Sequence, residues 1–123
     1  MTTALILFAH GARDPEWAGP MRRVQEAIRV RCPAFPVELA FLEFIPPDLS
    51  DCVAGLVADG ADQVCIVPMF IAQGGHLKRE LPEMLESLHC AYPRVQISLS
   101  GPIGEQESVV QAMAAAAIDL AGL

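Results

Sequence analysis

Residues 64–80 read VCIVPMFIAQGGHLKRE. The first four, Val64 to Val67, are apolar without alternation and too few for a helix. Such a run suits a strand buried on both faces, the kind found in the middle of a parallel sheet. The stretch ends as a charged helix start. Between the two lie Met69, Phe70, Ile71 and Ala72, apolar where a loop is ordinarily polar, closed by Gly74-Gly75 and His76. The segment therefore reads as a central strand feeding a helix through an unusually greasy loop.

The same grammar extends outward. Residues 4–9 (ALILFA) form another uninterrupted apolar strand, and 37–42 (VELAFL) and 95–99 (VQISL) form two more. Between them lie helical stripes. Residues 15–31 carry Trp17, Met21, Val24 and Ile28 on one face, with Asp14 as cap and Pro15 in the first turn. Residues 49–58 carry Leu49, Cys52, Val53 and Leu56 behind Asp48. Leu81, Leu85 and Leu88 mark a third helix. Proline inside a helix costs about 3 kcal/mol, so that helix is expected to begin near Pro82, with 76–81 a separate turn. The last helix, about 105–121, is expected to face Val109, Val110, Met113, Ala117 and Leu120 inward.

The βαβαβαβα order predicts an α/β fold with three layers, a doubly wound parallel sheet covered on both faces. Strand chemistry places the strands. The first and third are apolar on both faces and central. The fourth alternates Val95, Ile97, Leu99 with Gln96, Ser98, Ser100, as an edge strand does. The second carries Glu38 and is read as the other edge. Right-handed crossovers then favour the order 2-1-3-4, a short flavodoxin-like arrangement, in one domain over residues 1–123.

Composition narrows the function. Hydrophobic residues are 53% and charged residues 19%, which argues against disorder. No apolar run is long enough to cross a bilayer, and the N-terminus reads as a strand, not a signal peptide. A net charge of −7 disfavours nucleic acid and anionic membranes as partners. Cys32, Cys52, Cys65 and Cys90 form no CxxC pair and are read as free thiols of a cytoplasmic protein.

Sheets of this type bind ligands beyond the carboxyl ends of their strands, where the winding reverses. Here that point lies between the first and third strands. His10 follows the first strand, Glu43 the second and His76 the third, each 33 residues from the last. Singly, each has an ordinary explanation: a ring bonded to a carbonyl, a surface carboxylate, a helix-start residue. Two histidines at neighbouring strand exits suit a divalent transition metal, and two ligands leave an open site, unlike structural zinc. Met69, Phe70 and Ile71 either pack under a helix or form a flat apolar wall for a planar ligand. Gly74 and Gly75 either make a tight turn or let the backbone approach that ligand closely. Arg13, Lys78 and Arg79 beside the histidines suggest that the ligand is anionic. Gly101-Pro102-Ile103-Gly104 would line the same mouth. His89, late on the third helix, is read as solvent-facing.

Three segments, HGARDPEW after the first strand, VPMFIAQGGHLKRELPE, and GPIGE, together resemble the short single-domain sirohydrochlorin chelatases, the CbiX/SirB type of the class II chelatase family. The resemblance runs over nearly the whole chain. It implies a lyase that inserts Co2+ or Fe2+, with Ni2+ a further candidate, into the tetrapyrrole sirohydrochlorin on the way to cobalamin or sirohaem. His10 and His76 match the metal-site histidines and Glu43 the acidic partner. The metal is then a substrate, and no permanent cofactor is implied. Relatives of this length are homodimers, and longer ones fuse two such halves. Many relatives read HGS where this chain has His10-Gly11-Ala12, so a hydrogen bond from that serine has no counterpart here. Three rivals remain at this level. One is a metal carrier that uses the same histidines without a tetrapyrrole. The second is a phosphoryl-transfer enzyme with His10 as nucleophile, weakened by Ala9 standing where an arginine is expected. The third is a plain interaction domain, which explains the fold but not the converging histidines.

Overall fold

The computed structural model describes residues 2–123. Among these, four parallel strands, β1 (Thr3–Ala9), β2 (Val37–Phe41), β3 (Gln63–Pro68) and β4 (Gln96–Leu99), form a sheet in the order β2-β1-β3-β4. Four helices alternate with them: α1 (Gly19–Arg31), α2 (Leu49–Ala58), α3 (Gly75–Ala91) and α4 (Glu107–Ala121). This is the α/β order that the strand chemistry implies. β1 pairs with both β2 and β3, in registers that set Ala9 beside Phe41 and Ile6 beside Ile66.

The two faces of the sheet carry separate cores. On one, Ala4, Ile6, Phe8, Val64 and Ile66 pack against Leu49, Val53 and Leu56 of α2 and Leu77, Leu81 and Leu88 of α3. On the other, Leu7, Val37, Leu39 and Phe41 pack against Met21, Val24 and Ile28 of α1. Asp14 accepts the Glu16 N–H at 2.9 Å and opens a short 3-10 turn, Pro15–Ala18, ahead of α1. Trp17 falls in that turn and stays largely exposed, with Ala18 buried in its place. Asp48 caps α2 by accepting the Asp51 N–H at 2.8 Å.

The outer edges of the sheet are partly closed. The Val37 carbonyl of β2 accepts from Gln25 Nε2 at 2.8 Å and from Arg29 at 3.1 Å, and the Phe41 N–H donates to the Pro47 carbonyl at 2.9 Å. On β4, His89 Nε2 lies 2.8 Å from the Ile97 carbonyl, so this histidine tethers α3 to the sheet edge; the solvent-facing reading omitted that bond.

Two further expectations are corrected. α3 begins at Gly75 and runs through Pro82 without a separate turn. Leu77 and Leu81, at 7% and 2% exposure, pin its first two turns to the sheet. Burying two leucines contributes about 1.5–3 kcal/mol each, enough to offset the roughly 3 kcal/mol proline penalty. α4 buries none of its residues: Val110, Met113 and Leu120 are exposed, not inward. Among the described residues no helix is long and apolar enough to cross a membrane.

Candidate metal and tetrapyrrole site

The site forms at the carboxyl edge of the sheet because main-chain pairing continues past the strand ends. Leu42 N–H donates to the Ala9 carbonyl at 2.9 Å and Glu43 N–H to the His10 carbonyl at 3.0 Å. His10 and Glu43 are thereby strapped side by side. Gly11 makes the strap possible. Its φ is +87°, and a Cβ there would sit 1.9 Å from the Glu43 carbonyl oxygen, so no other residue fits without moving the loop. Arg13 closes the same junction: its guanidinium lies 4.9 Å from the centre of the Phe44 ring.

On the other side of β1, Met69 N–H donates to the Phe8 carbonyl at 2.7 Å. This turns Phe70 inward. Phe70 is 3% exposed, and its ring centre lies 6.1 Å from that of Phe8 and 4.3 Å from that of His10. Met69 is half-buried in the α1-side core, while Ile71 is 73% exposed. The three side chains therefore do not share one wall; Phe70 is the floor on which His10 rests. The loop after β4 closes this junction from beyond. Gly104 N–H donates to the Phe70 carbonyl at 3.0 Å, and a Cβ on Gly104 would meet the Ile71 backbone at 2.2 Å.

His76 lies one residue into α3, behind Gly74 and Gly75, with its side chain 79% exposed. Its Nε2 is 2.8 Å from Glu80 Oε1, one helical turn on. A metal-ligating imidazole commonly gives its second nitrogen to a carboxylate, which fixes the ring, and Glu80 stands in that relation to His76. Glu43 and His76 line one open cleft of about 660 Å3, together with Leu42, Glu80, Glu83, Met84 and Ser87. Glu80 and Glu83 were not anticipated. The signal was present: residues 76, 80, 83 and 87 recur at helical spacing and so share a face.

The cleft is consequently acidic. Lys78 and Arg79 are exposed and are not among its lining residues. Leu42, Met84 and Ser87 also border a second depression of about 310 Å3, lined further by Phe8, Leu49, Leu88 and Tyr92 between α2 and α3. The apolar surface next to the cleft comes from strand and helix side chains together, and Phe70 follows the alternative in which this segment packs inward. Among the described residues, no three His, Cys, Asp or Glu side chains converge tightly enough to hold an ion. His10, Glu43 and His76 stand at neighbouring strand exits without forming a closed cage.

Among the described residues, the Cys52 thiol is the one group with a marked shift. Burial on the inner face of α2, and secondarily the negative charge of Glu38, push its pKa up to about 11. It stays a protonated, inert thiol at neutral pH.

Comparison with known proteins follows the same geometry. The CbiX family model matches residues 4–120. The sirohydrochlorin cobaltochelatase of Saccharolobus solfataricus is 30% identical over 111 residues, covering 85% of each chain. That of Methanococcus aeolicus is 34% identical over 87 residues, covering 71% of this chain and 61% of the relative. Among solved structures, a CbiX protein from Marinobacter aquaeolei VT8, assigned to cobalamin (vitamin B12) biosynthesis, superposes with a TM-score of 0.86 at 28% identity over 98% of both chains. The sirohydrochlorin chelatase SirB from Bacillus subtilis subspecies spizizenii, in complex with cobalt, gives 0.81 at 28% identity; this chain spans 51% of it. The fold, the strand-exit histidines and a family match over nearly all of its length lead to one assignment: the chain belongs to the CbiX family.

Proposed function

We propose that this chain is a sirohydrochlorin chelatase, a lyase that inserts Co2+ or Fe2+ into sirohydrochlorin. The observation that carries the reading is one cleft lined by both Glu43 and His76, residues 33 positions apart, beside the strand exit that bears His10. The names of its relatives agree: the Saccharolobus and Methanococcus proteins are cobaltochelatases, and SirB structures contain cobalt in one case and Fe3+ in another. Cobalt and iron point respectively to cobalamin and sirohaem as end products.

The proposed mechanism assigns roles by position. The incoming cation is attracted to the acidic cleft, where Glu43, Glu80 and Glu83 give a negative local field. Neutral His10 and His76 bind it and leave a free coordination face for the macrocycle. His10 contributes a nitrogen from a ring that is backed by Phe70. Insertion exchanges the pyrrole N–H protons for the cation. Glu43 or an imidazole released by the metal accepts those protons. The conjugated ring lies against the apolar depression that adjoins the cleft. Its carboxylates meet Arg13, Lys78 and Arg79 at the rim, with Ile71 and the Gly74-Gly75 backbone beside them. The metal is substrate and leaves with the product, so no resident cofactor takes part. The chain works in the cytoplasm, where its four free cysteines stay reduced. It works as a homodimer, because a domain of this size needs a second surface to enclose a tetrapyrrole.

The direct test is Co2+ insertion into sirohydrochlorin, followed by absorbance, with His10→Ala and His76→Ala proteins. Each is expected to lose about 10²-fold or more of the enzymatic rate. Rates close to that of the unaltered protein would discard the assignment of these residues. A spectral shift of sirohydrochlorin on adding the metal-free protein separates a chelatase from a carrier that ignores tetrapyrroles.

A further inference from the structure

Among the described residues, Phe44 is the one residue other than glycine with a positive φ, at +68°. A bulky side chain in that region is strained. Here the strain has a local cause. The Ile45 N–H donates to the Glu43 carbonyl at 2.8 Å, so residues 43–45 close a three-residue turn with Phe44 at its vertex. Both flanks of the turn are tied down. The Glu43 N–H is bonded to the His10 carbonyl, and the Phe41 N–H to the Pro47 carbonyl. Ile45 packs against the α1-side core, while Glu43 lines the cleft. Phe44 is left between them, and it is 56% exposed.

Neither a strained backbone nor an aromatic ring in solvent helps the fold, so packing does not explain this residue. What the ring does touch is Arg13. The guanidinium carbon lies over its face, 4.9 Å from the centre, within the range of a cation–π contact. Arg13 stands three residues after His10 and directly before Asp14. The Asp14 carboxylate accepts the Glu16 N–H at 2.9 Å and opens the next turn. The main chain is thus anchored on both sides of the contact. Arg13 is exposed and, among the described residues, has no carboxylate partner; the two ion pairs are Arg29–Glu38 and His76–Glu80. A guanidinium with its face on a ring keeps the N–H donors along its edge, the fork that grips a carboxylate through two bonds.

We infer that Phe44 is a positioning residue for the substrate: its ring holds Arg13 so that the guanidinium edge is free for a carboxylate on the rim of the tetrapyrrole, beside the strand exits that bear His10 and Glu43. The inference rests on the chelatase reading above and adds a residue to it. An arginine without support gives up rotamer freedom when it binds a carboxylate, and the ring removes part of that cost beforehand. The turn keeps the ring next to Glu43 and out of the core, which gives the strained φ a purpose. The contact acts on binding of the macrocycle. Capture of the cation stays with His10, Glu43 and His76.

The experiment is Co2+ insertion at saturating Co2+ with sirohydrochlorin varied. It compares the unaltered chain with Phe44→Leu, Phe44→Tyr, Arg13→Gln and the Phe44→Leu/Arg13→Gln double variant. Phe44→Leu is expected to raise KM for sirohydrochlorin about 5-fold, with kcat and the affinity for Co2+ alone unchanged. Phe44→Tyr keeps the ring and should stay within about 2-fold of the unaltered chain. The double variant should match Arg13→Gln, because a ring without its guanidinium has nothing to hold. Effects that multiply in the double variant overturn the inference, as does a Phe44→Leu protein that loses kcat and keeps its KM. Phe44→Gly guards against misfolding. Glycine adopts a positive φ without strain, so this protein is expected to unfold at no lower temperature while its KM rises as in Phe44→Leu. A normal KM in Phe44→Gly overturns the inference whatever Phe44→Leu does. No insertion by the unaltered chain removes the chelatase reading and this inference together. Insertion with a KM untouched by every Phe44 variant removes the inference alone.

Discussion

The exits of the two central strands differ in kind. At the end of β1, His10 leads into a turn that admits only glycine, its main chain is bonded to Glu43, and its ring lies against Phe70. At the end of β3, His76 projects from the first turn of a helix, mostly in solvent, with Glu80 as its partner. One imidazole is exposed and backed by an aromatic ring; the other projects into solvent and is held by one carboxylate. Under the chelatase reading, the exit packed on Phe70 would set where a cation is first held, since placement in advance lowers the cost of orienting a reactant, and the His76–Glu80 pair would meet it from solvent.

The largest effect that would break the contrast is loss of the floor. Phe70→Ala is expected to destabilise the fold by about 3–5 kcal/mol, measured by denaturant unfolding, and to weaken Co2+ binding through His10. Phe70→Leu sharpens the comparison, since it keeps most of the buried volume and removes only the ring beneath the imidazole. Gly11→Ala comes next. Positive φ alone costs a side chain about 1–3 kcal/mol, and the Glu43 carbonyl must also move. Both stability and insertion rate should fall, whereas Gly74→Ala, with open space around its Cβ position, should leave stability within about 0.5 kcal/mol. At the looser exit, Glu80→Gln is expected to lower metal affinity about 10-fold, read by titration with Co2+, with unfolding free energy nearly unchanged. An equal loss of stability would mean that the His76 exit is as firmly built as the other. The smallest effect concerns the packed face under β1. Cys52 has its folded-state pKa raised from 9.0 to about 11, so the unfolded chain ionises first as pH rises. Stability is full below about pH 9 and declines from there towards pH 11. Cys52→Ala should flatten that decline, which urea unfolding at several pH values will reveal.

Much of this was legible in the chain itself. Uninterrupted apolar runs identified β1 and β3 as central, alternation at Gln96 and Ser98 marked β4 as an edge, and the strand exits followed. Asp14 and Asp48 announced their caps. Harder to read were features decided by tertiary packing. Pro82 signals a break, yet Leu77 and Leu81 in the turns before it hold α3 continuous. Phe70 in a loop looks available to a ligand until the ladder from Phe8 turns it inward. The stripe on α4 has the spacing of a core helix, yet the helix buries none of its residues, because spacing alone does not bring a face against the sheet. Glu80 and Glu83 were missed because an acidic residue on a charged helix has no signature of its own; their places four and seven residues after His76 were the clue.

The bonds that occupy the rims of the sheet bear on how copies of this protein meet. Gln25, Arg29 and Pro47 engage the outward main-chain groups of Val37 and Phe41, and His89 engages that of Ile97. A foreign strand seeking to add itself would find these positions taken. Edge-to-edge pairing with another chain, a general hazard of open sheets, is thereby blunted on both flanks.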